Sequence, residues 1–133
     1  MKRSILSISI LALTTVIMFS GCDMNDPNEH HDEYSMEFSY SPDPATVNTE
    51  IVFTFKIEDD HGEHIEGLMH TEGEFEMDGM DPVEIELTED SSDPGHYIGT
   101  ATFTMAGNYE VQFHYIHDGE SNHITSNTTL TVQ

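Results

Sequence analysis

The sequence predicts an all-β fold, a single antiparallel β-sandwich of about seven strands over residues 34–133. Apolar and polar residues alternate with a period of two through most of this range, and segments rich in Gly, Pro, Asp and Asn separate the alternating runs. No long stretch of the range carries the apolar face of a helix. Antiparallel sheets with one buried and one solvated face account for the alternation.

The alternating runs give the strands in chain order. Pro42 and Pro44 separate the first two, and DDHG is predicted to turn the chain after the second. Gly67 and Gly73 interrupt the third run, so its period is unclear. The turn spacing is that of an immunoglobulin-like sandwich. The predicted strands cover residues 36–40, 51–57, 64–77, 83–88, 97–103, 109–115 and 124–132.

The start of the chain predicts export and lipidation. A basic start, an apolar run over residues 5–19 and two small residues precede Cys22, the only cysteine. This order resembles the lipobox of bacterial lipoproteins, with Phe19 in place of the usual Leu. We expect a signal peptide at 1–21, lipid on Cys22 and an acidic tether over 22–33, which anchors the protein in the cell envelope outside the cytoplasm. The alternative, a transmembrane helix, needs about 20 apolar residues, more than the run provides.

The net charge limits which classes of molecule can be partners of the protein. It is −23 at pH 7, and beyond residue 21 the one basic residue, Lys56, stands against all 26 acidic residues. Such a surface repels nucleic acid and anionic headgroups and attracts cations without selecting among them. We therefore expect membrane attachment through the lipid on Cys22 and no nucleic acid partner. With Cys22 lipidated, no disulfide can form.

The C-terminal half resembles a known family. The segments that carry the resemblance are GHYIGTATFTMAGNYEVQFHY at 95–115 and SNHITSNTTLTV at 121–132. They are similar to the YtkA-like domain and its FixH-type relatives, which are small exported sandwiches of bacteria. The family pattern places Gly-x-Tyr pairs and two histidines at positions that correspond here to Gly95, Tyr97, Gly107, Tyr109, His114 and His123. Relatives often occur beside respiratory and copper-handling proteins, so the resemblance implies that the protein handles a metal.

The last predicted hairpin contains the sharpest candidate site. Asp118 and Gly119 are typical of a two-residue type I′ turn, which places His114 directly opposite His123. Phe113 then faces the core, so both imidazoles point outward with Cβ atoms about 4.5–5.5 Å apart. Two imidazoles at this spacing suit one shared metal ion. The alternative is a solvent-facing polar pair without a ligand, and the sequence leaves both open.

A second candidate group combines histidine with methionine: Met69, His70, Met77 and Met80. Thioether and imidazole together suit copper, which is the expected metal. The alternative is that Met69 and Met77 fill the core while Met80 lies on an exposed loop. His70 joins His114 if the third and sixth predicted strands are neighbours in one sheet.

Four of the remaining histidines are expected to be solvated surface residues, and the other two, at strand ends, are assigned no role. Each lies where the chain turns, ends a strand or is solvated, so none is assigned a ligand. They are the tether pair His30 and His31, the turn residues His61 and His64, and the strand-end residues His96 and His117.

Two functions remain open. The sequence has no nucleophile elbow, phosphate-binding loop or zinc-protease helix, so we do not expect an enzyme. One function is a copper-binding accessory protein that uses His114 and His123, with His70 or a methionine as a further ligand. The other is a non-metal module that docks an unknown protein of the cell envelope.

Overall fold

The computed structural model describes residues 34–133, and every regular element in this range is a β-strand. Two antiparallel sheets form, one in the order β1-β2-β6-β5 and one in the order β4-β3-β7-β8 with β9 also paired to β7. The strands are β1 (Ser35–Ser41), β2 (Glu50–Glu58), β3 (Met69–Glu76), β4 (Val83–Glu86), β5 (Thr88–Glu89), β6 (His96–Thr102), β7 (Gly107–His117), β8 (Glu120–Thr125) and β9 (Leu130–Val132).

The two sheets confirm the predicted all-β sandwich, while its immunoglobulin-like character stays a prediction. The predicted signal peptide (1–21) and tether (22–33) lie outside the described residues. Within residues 34–133, no helical segment has the length and hydropathy needed to cross a bilayer.

The core lies between the sheets and consists largely of aromatic rings. Alternate side chains of β2, from Ile51 to Ile57, are fully buried. Phe53 of β2 meets Phe75 of β3 with ring centroids 4.6 Å apart. Phe103 meets the same Phe75 edge-on at 5.4 Å. Burial of each ring contributes about 1.5–3 kcal/mol to the stability of the fold, so these contacts fix the position of β3. The opposite, outer face of the same sheet carries the candidate site.

One predicted strand, 83–88, is two strands in the structure. β4 pairs with β3 in one sheet, and β5 pairs with β6 in the other. The chain changes sheets at Leu87, which is 5% exposed. The Leu87 amide donates to the Thr71 carbonyl at 2.9 Å, and the Thr71 hydroxyl donates to the Leu87 carbonyl at 3.0 Å. These bonds satisfy the backbone where it leaves the first ladder.

The predicted strand 124–132 is also two strands, which raises the count from seven to nine. The Ser126 amide donates to the Val111 carbonyl, and the Ser126 hydroxyl accepts from the Thr128 amide, so the chain leaves β8 here. It then joins the start of β7 as β9, where Leu130 is fully buried.

Candidate metal centres

The hairpin of β7 and β8 carries the predicted histidine pair. Asp118 (φ 52°) and Gly119 (φ 82°) are both left-handed, as a type I′ turn requires. His114 lies directly opposite His123, which confirms the predicted register. Their rings are stacked, with centroids 5.7 Å apart and planes inclined by 29°. Phe113 is fully buried, so the neighbouring His114 points to the outer face of the sheet.

One ring nitrogen of this pair has no hydrogen-bond partner in the described part of the chain. Nε2 of His114 is shielded from solvent, and no group among residues 34–133 bonds to it. The Oε1 atom of Glu74 lies 3.6 Å away, beyond hydrogen-bond length. Buried polar atoms are nearly always paired. A shielded nitrogen that faces a carboxylate is therefore a position that a proton or a metal ion completes.

A row of acidic side chains continues from the pair across the sheet. Glu72 lies opposite His114 on β7, and Glu86 of β4 lies opposite Glu72. Glu74 and Glu84 form a second like-charged pair beside it. Carboxylates placed directly opposite each other are destabilising in a sheet. A bound cation would relieve this repulsion.

His70 shares a surface cavity with His114. β3 and β7 are neighbours, which meets the condition under which His70 was expected to join His114. His70 has a left-handed backbone (φ 49°) at the irregularity of β3 between Met69 and Glu72. Together with Glu72 and His114, it lines a surface cavity of about 290 Å³. The structure thus brings His70 to the side of the pair that faces β3.

The methionines divide between the core and the surface. Met69 is 58% exposed, so its predicted role as a core filler is wrong, because the irregularity of β3 breaks the inward alternation at this position. Met77 packs against the core, and its sulfur occupies the space that a Cβ on Gly107 would need. Gly107 begins β7, seven residues and about 23 Å along the strand from His114. Met80 is exposed, and its amide bonds to the Met77 carbonyl.

A second group of donors lies where β2 ends and β6 begins. His64, Asp93 and His96 each offer a ligand atom, and these atoms lie within 4.8 Å of one another. The two imidazole rings meet edge-on at 5.2 Å. The His96 side chain is 17% exposed and that of His64 is 39% exposed. His64 is exposed, as expected of a solvated turn residue, but neither histidine was predicted to lie in a group of donors.

The turns on either side hold this group in place. The Asp59 carboxylate accepts from the amides of Glu63 and His61, and these bonds lower the pKa of Asp59. The turn brings His64 over Gly95, where a Cβ would lie 2.6 Å from the Cβ of His64. Gly95 has φ +83°, a conformation that favours glycine. Only glycine therefore combines this backbone with this close approach.

Glu58 adds a carboxylate next to His64. Its Oε1 atom lies 2.8 Å from Nζ of Lys56 and 3.6 Å from Nε2 of His64. The hydrogen bond from Lys56 holds the pKa of Glu58 below its ordinary value, so the carboxylate stays ionised at neutral pH.

The sequence contained only part of the signal for this second group. The turn residues DDHG and SSDPG predict two turns, with His64 and His96 just after them. Their proximity depends on β2 pairing with β6, which puts Lys56 opposite His96. This pairing joins strands distant in sequence, and no local pattern specifies it.

The described fold is a small all-β domain with two outward-facing groups of histidine and carboxylate donors. The YtkA-like family matches residues 28–114, which is more than half of the chain, and the chain belongs to that family. The match includes His64, Asp93, His96 and His114 and ends before His123. No curated protein and no solved structure matches the chain.

Proposed function

We propose that this YtkA-like protein is an exported accessory protein of the cell envelope that is anchored by lipid on Cys22 and binds copper. The outer-face pair, His114 and His123, holds the ion, and Glu74 supplies a third donor. His70 lines the cavity beside them and is a further ligand within reach of the site. The protein binds and presents the metal and does not catalyse a reaction.

The observation that carries this proposal is the shielded Nε2 atom of His114. It has no hydrogen bond among the described residues, and a carboxylate oxygen of Glu74 lies 3.6 Å from it. Imidazole nitrogens and a carboxylate oxygen are ligands of Cu(II), which favours a tetragonal arrangement completed by water. The acidic face attracts cations in general, and the two imidazoles provide the selection for copper over calcium or magnesium.

A protein-interaction module is the second candidate. The like-charged pairs Glu72–Glu86 and Glu74–Glu84 lie on the same outer face. A partner with a basic surface would neutralise them as a metal ion would, and the interface would then cover His114. This candidate requires no contribution from the imidazole lone pairs, which separates it from the first.

Copper affinity of the full-length protein distinguishes the two candidates. We expect His114→Ala and His123→Ala each to weaken Cu(II) binding by at least about 10-fold in competition with a chelator, because a single surface imidazole is a poor site. Affinity should also fall as the pH is lowered, since protons compete for the lone pairs. The control is the double variant of His30 and His31, which should bind as the parent does. Equal affinities in all variants would attribute binding to the carboxylates and favour the interaction module.

A further inference from the structure

We propose that His64, Asp93 and His96 form a second metal site that binds Zn²⁺, and that Glu58 contributes to it. The site goes beyond the proposed copper function and shares no residue with the outer-face pair. Its foundation is the trio of donor atoms within 4.8 Å of one another. Two imidazoles and one carboxylate, with a further position for water or a second carboxylate, form a known type of zinc coordination.

The spacing of the donors fits a tetrahedral ion. With Zn–N and Zn–O distances of about 2.0–2.2 Å, ligand atoms on tetrahedral zinc lie about 3.3 Å apart. The His96 Nδ1 and Asp93 Oδ1 atoms are 3.4 Å apart, and a zinc ion between them would replace the contact of Nδ1 with the Asp93 carbonyl oxygen at 3.2 Å. The His64 Nε2 and Glu58 Oε1 atoms are 3.6 Å apart. The widest separation in the trio must therefore close by at most about 1.5 Å, which rotation of the exposed His64 and Asp93 side chains can provide.

The surroundings prepare His64 as a ligand. Its Nδ1 atom lies 3.3 Å from the Pro94 carbonyl, which accepts a hydrogen bond when Nδ1 carries the proton. The lone pair is then on Nε2, which faces the Glu58 carboxylate. Ligating histidines commonly donate their other ring N–H to a carbonyl in this way, which fixes the tautomer and the ring orientation. Both the Nε2 atom and the carboxylate oxygen then carry lone pairs that face each other, and a cation between them would bind to both.

Zinc at this position would link two separate turns. His64 follows the turn after β2, and Asp93 belongs to the turn before β6. The second turn is already fixed, since the Asp90 carboxylate accepts from the Ser92 amide at 2.9 Å and the Gly95 amide donates to Glu89 at 2.9 Å. The ion therefore closes one end of the four-stranded sheet and leaves the outer face of the other sheet free for copper.

Zinc titration in a background without the copper pair tests this site. The full-length double variant His114→Ala/His123→Ala is titrated with ZnCl₂ by calorimetry. We expect one equivalent to bind and the melting temperature to rise by at least about 4 °C at saturation. Adding His64→Gln or His96→Gln should weaken zinc binding by at least about 10-fold, which is the cost of losing even an outer-shell partner.

Two further variants separate the site from misfolding and from diffuse attraction. Asp93→Asn changes an exposed side chain and should weaken zinc binding while leaving the metal-free melting temperature unchanged. His61→Gln removes an imidazole that is 80% exposed beside the same turn and should bind zinc as the background does. Zinc affinity that is the same in the His64, His96 and His61 variants, or the lack of one-to-one binding in the background, would overturn the proposal. Because the background lacks both histidines of the copper pair, this result is independent of the copper test.

Discussion

The hydroxyl of Tyr97 joins the segment after His64 to strand β6. It donates to the Ile65 carbonyl at 2.9 Å and accepts from the Leu68 amide at 3.1 Å. The ring itself is fully buried. Replacing Tyr97 with Phe keeps the ring and leaves both backbone groups without this partner. At a net contribution of about 0.5–1.5 kcal/mol per hydrogen bond, we expect a loss of about 1–3 kcal/mol at neutral pH.

The same residue makes the stability of the fold depend on pH in the alkaline range. Burial raises the pKa of Tyr97 from 10.0 to about 12, aided by the negative charges of Glu89 and Glu66. The folded protein therefore keeps a proton that the unfolded chain releases above pH 10. The stability that this proton contributes is fully present below pH 10 and is lost between pH 10 and 12, by an amount on the order of 2–3 kcal/mol.

Urea unfolding followed by circular dichroism at pH 7, 10 and 11.5 measures both effects of Tyr97→Phe. The parent should be more stable at pH 7, and the difference should shrink as the pH rises, because the variant has no proton to lose at this position. Tyr109→Phe, which removes a single hydrogen bond to the Met105 carbonyl, controls for loss of a hydroxyl. Equal stabilities at pH 7, or a difference that does not change with pH, would refute the reasoning.

Three other changes test the core, the turn and the anchor. Phe75→Ala should lower the free energy of unfolding by about 3–5 kcal/mol in urea, and a loss below about 1 kcal/mol would contradict the assigned core. Gly95→Ala should cost about 1–2 kcal/mol for its backbone and more for the contact with His64. Gly62→Ala, which would place a Cβ with no atom of residues 34–133 within 4 Å, should cost the backbone part alone. Equal losses would argue against the contact. Cys22→Ser should release the exported protein from membranes, and a variant that still sediments with them would exclude the lipid anchor.

The sequence predicted those features that residues close together in the chain determine, namely the buried faces of the strands and the register of the last hairpin. The alternation in β2 and β7 identified their buried faces, since side chains on a strand point to opposite sides in turn. Asp118 and Gly119 specify a two-residue turn, which fixes the register of the two strands that it joins. Counting outward from the turn was therefore enough to predict that His114 lies opposite His123. A copper site at this pair remains a prediction.

Features that depend on distant contacts were not predicted. The chain changes sheets at Leu87 because β3 and β6 are both available to pair, and the local alternation continues unchanged through the crossing. His64 and His96 contact each other because β2 pairs with β6. The outward position of Met69 arises from an irregularity in the β3–β7 ladder. Each of these requires knowing which strands are neighbours.

The single basic residue beyond Arg3 makes the chain unusually simple to digest with trypsin. Lys56 lies inside β2, which is hydrogen-bonded to β1 on one side and β6 on the other. Trypsin cleaves after Lys and Arg, so the Lys56–Ile57 bond is its one target past the start of the chain. Reaching that bond requires β2 to leave both ladders, which opens the four-stranded sheet. Two fragments on a gel therefore report opening of this sheet, and their rate of appearance with and without zinc measures how strongly the ion holds it closed.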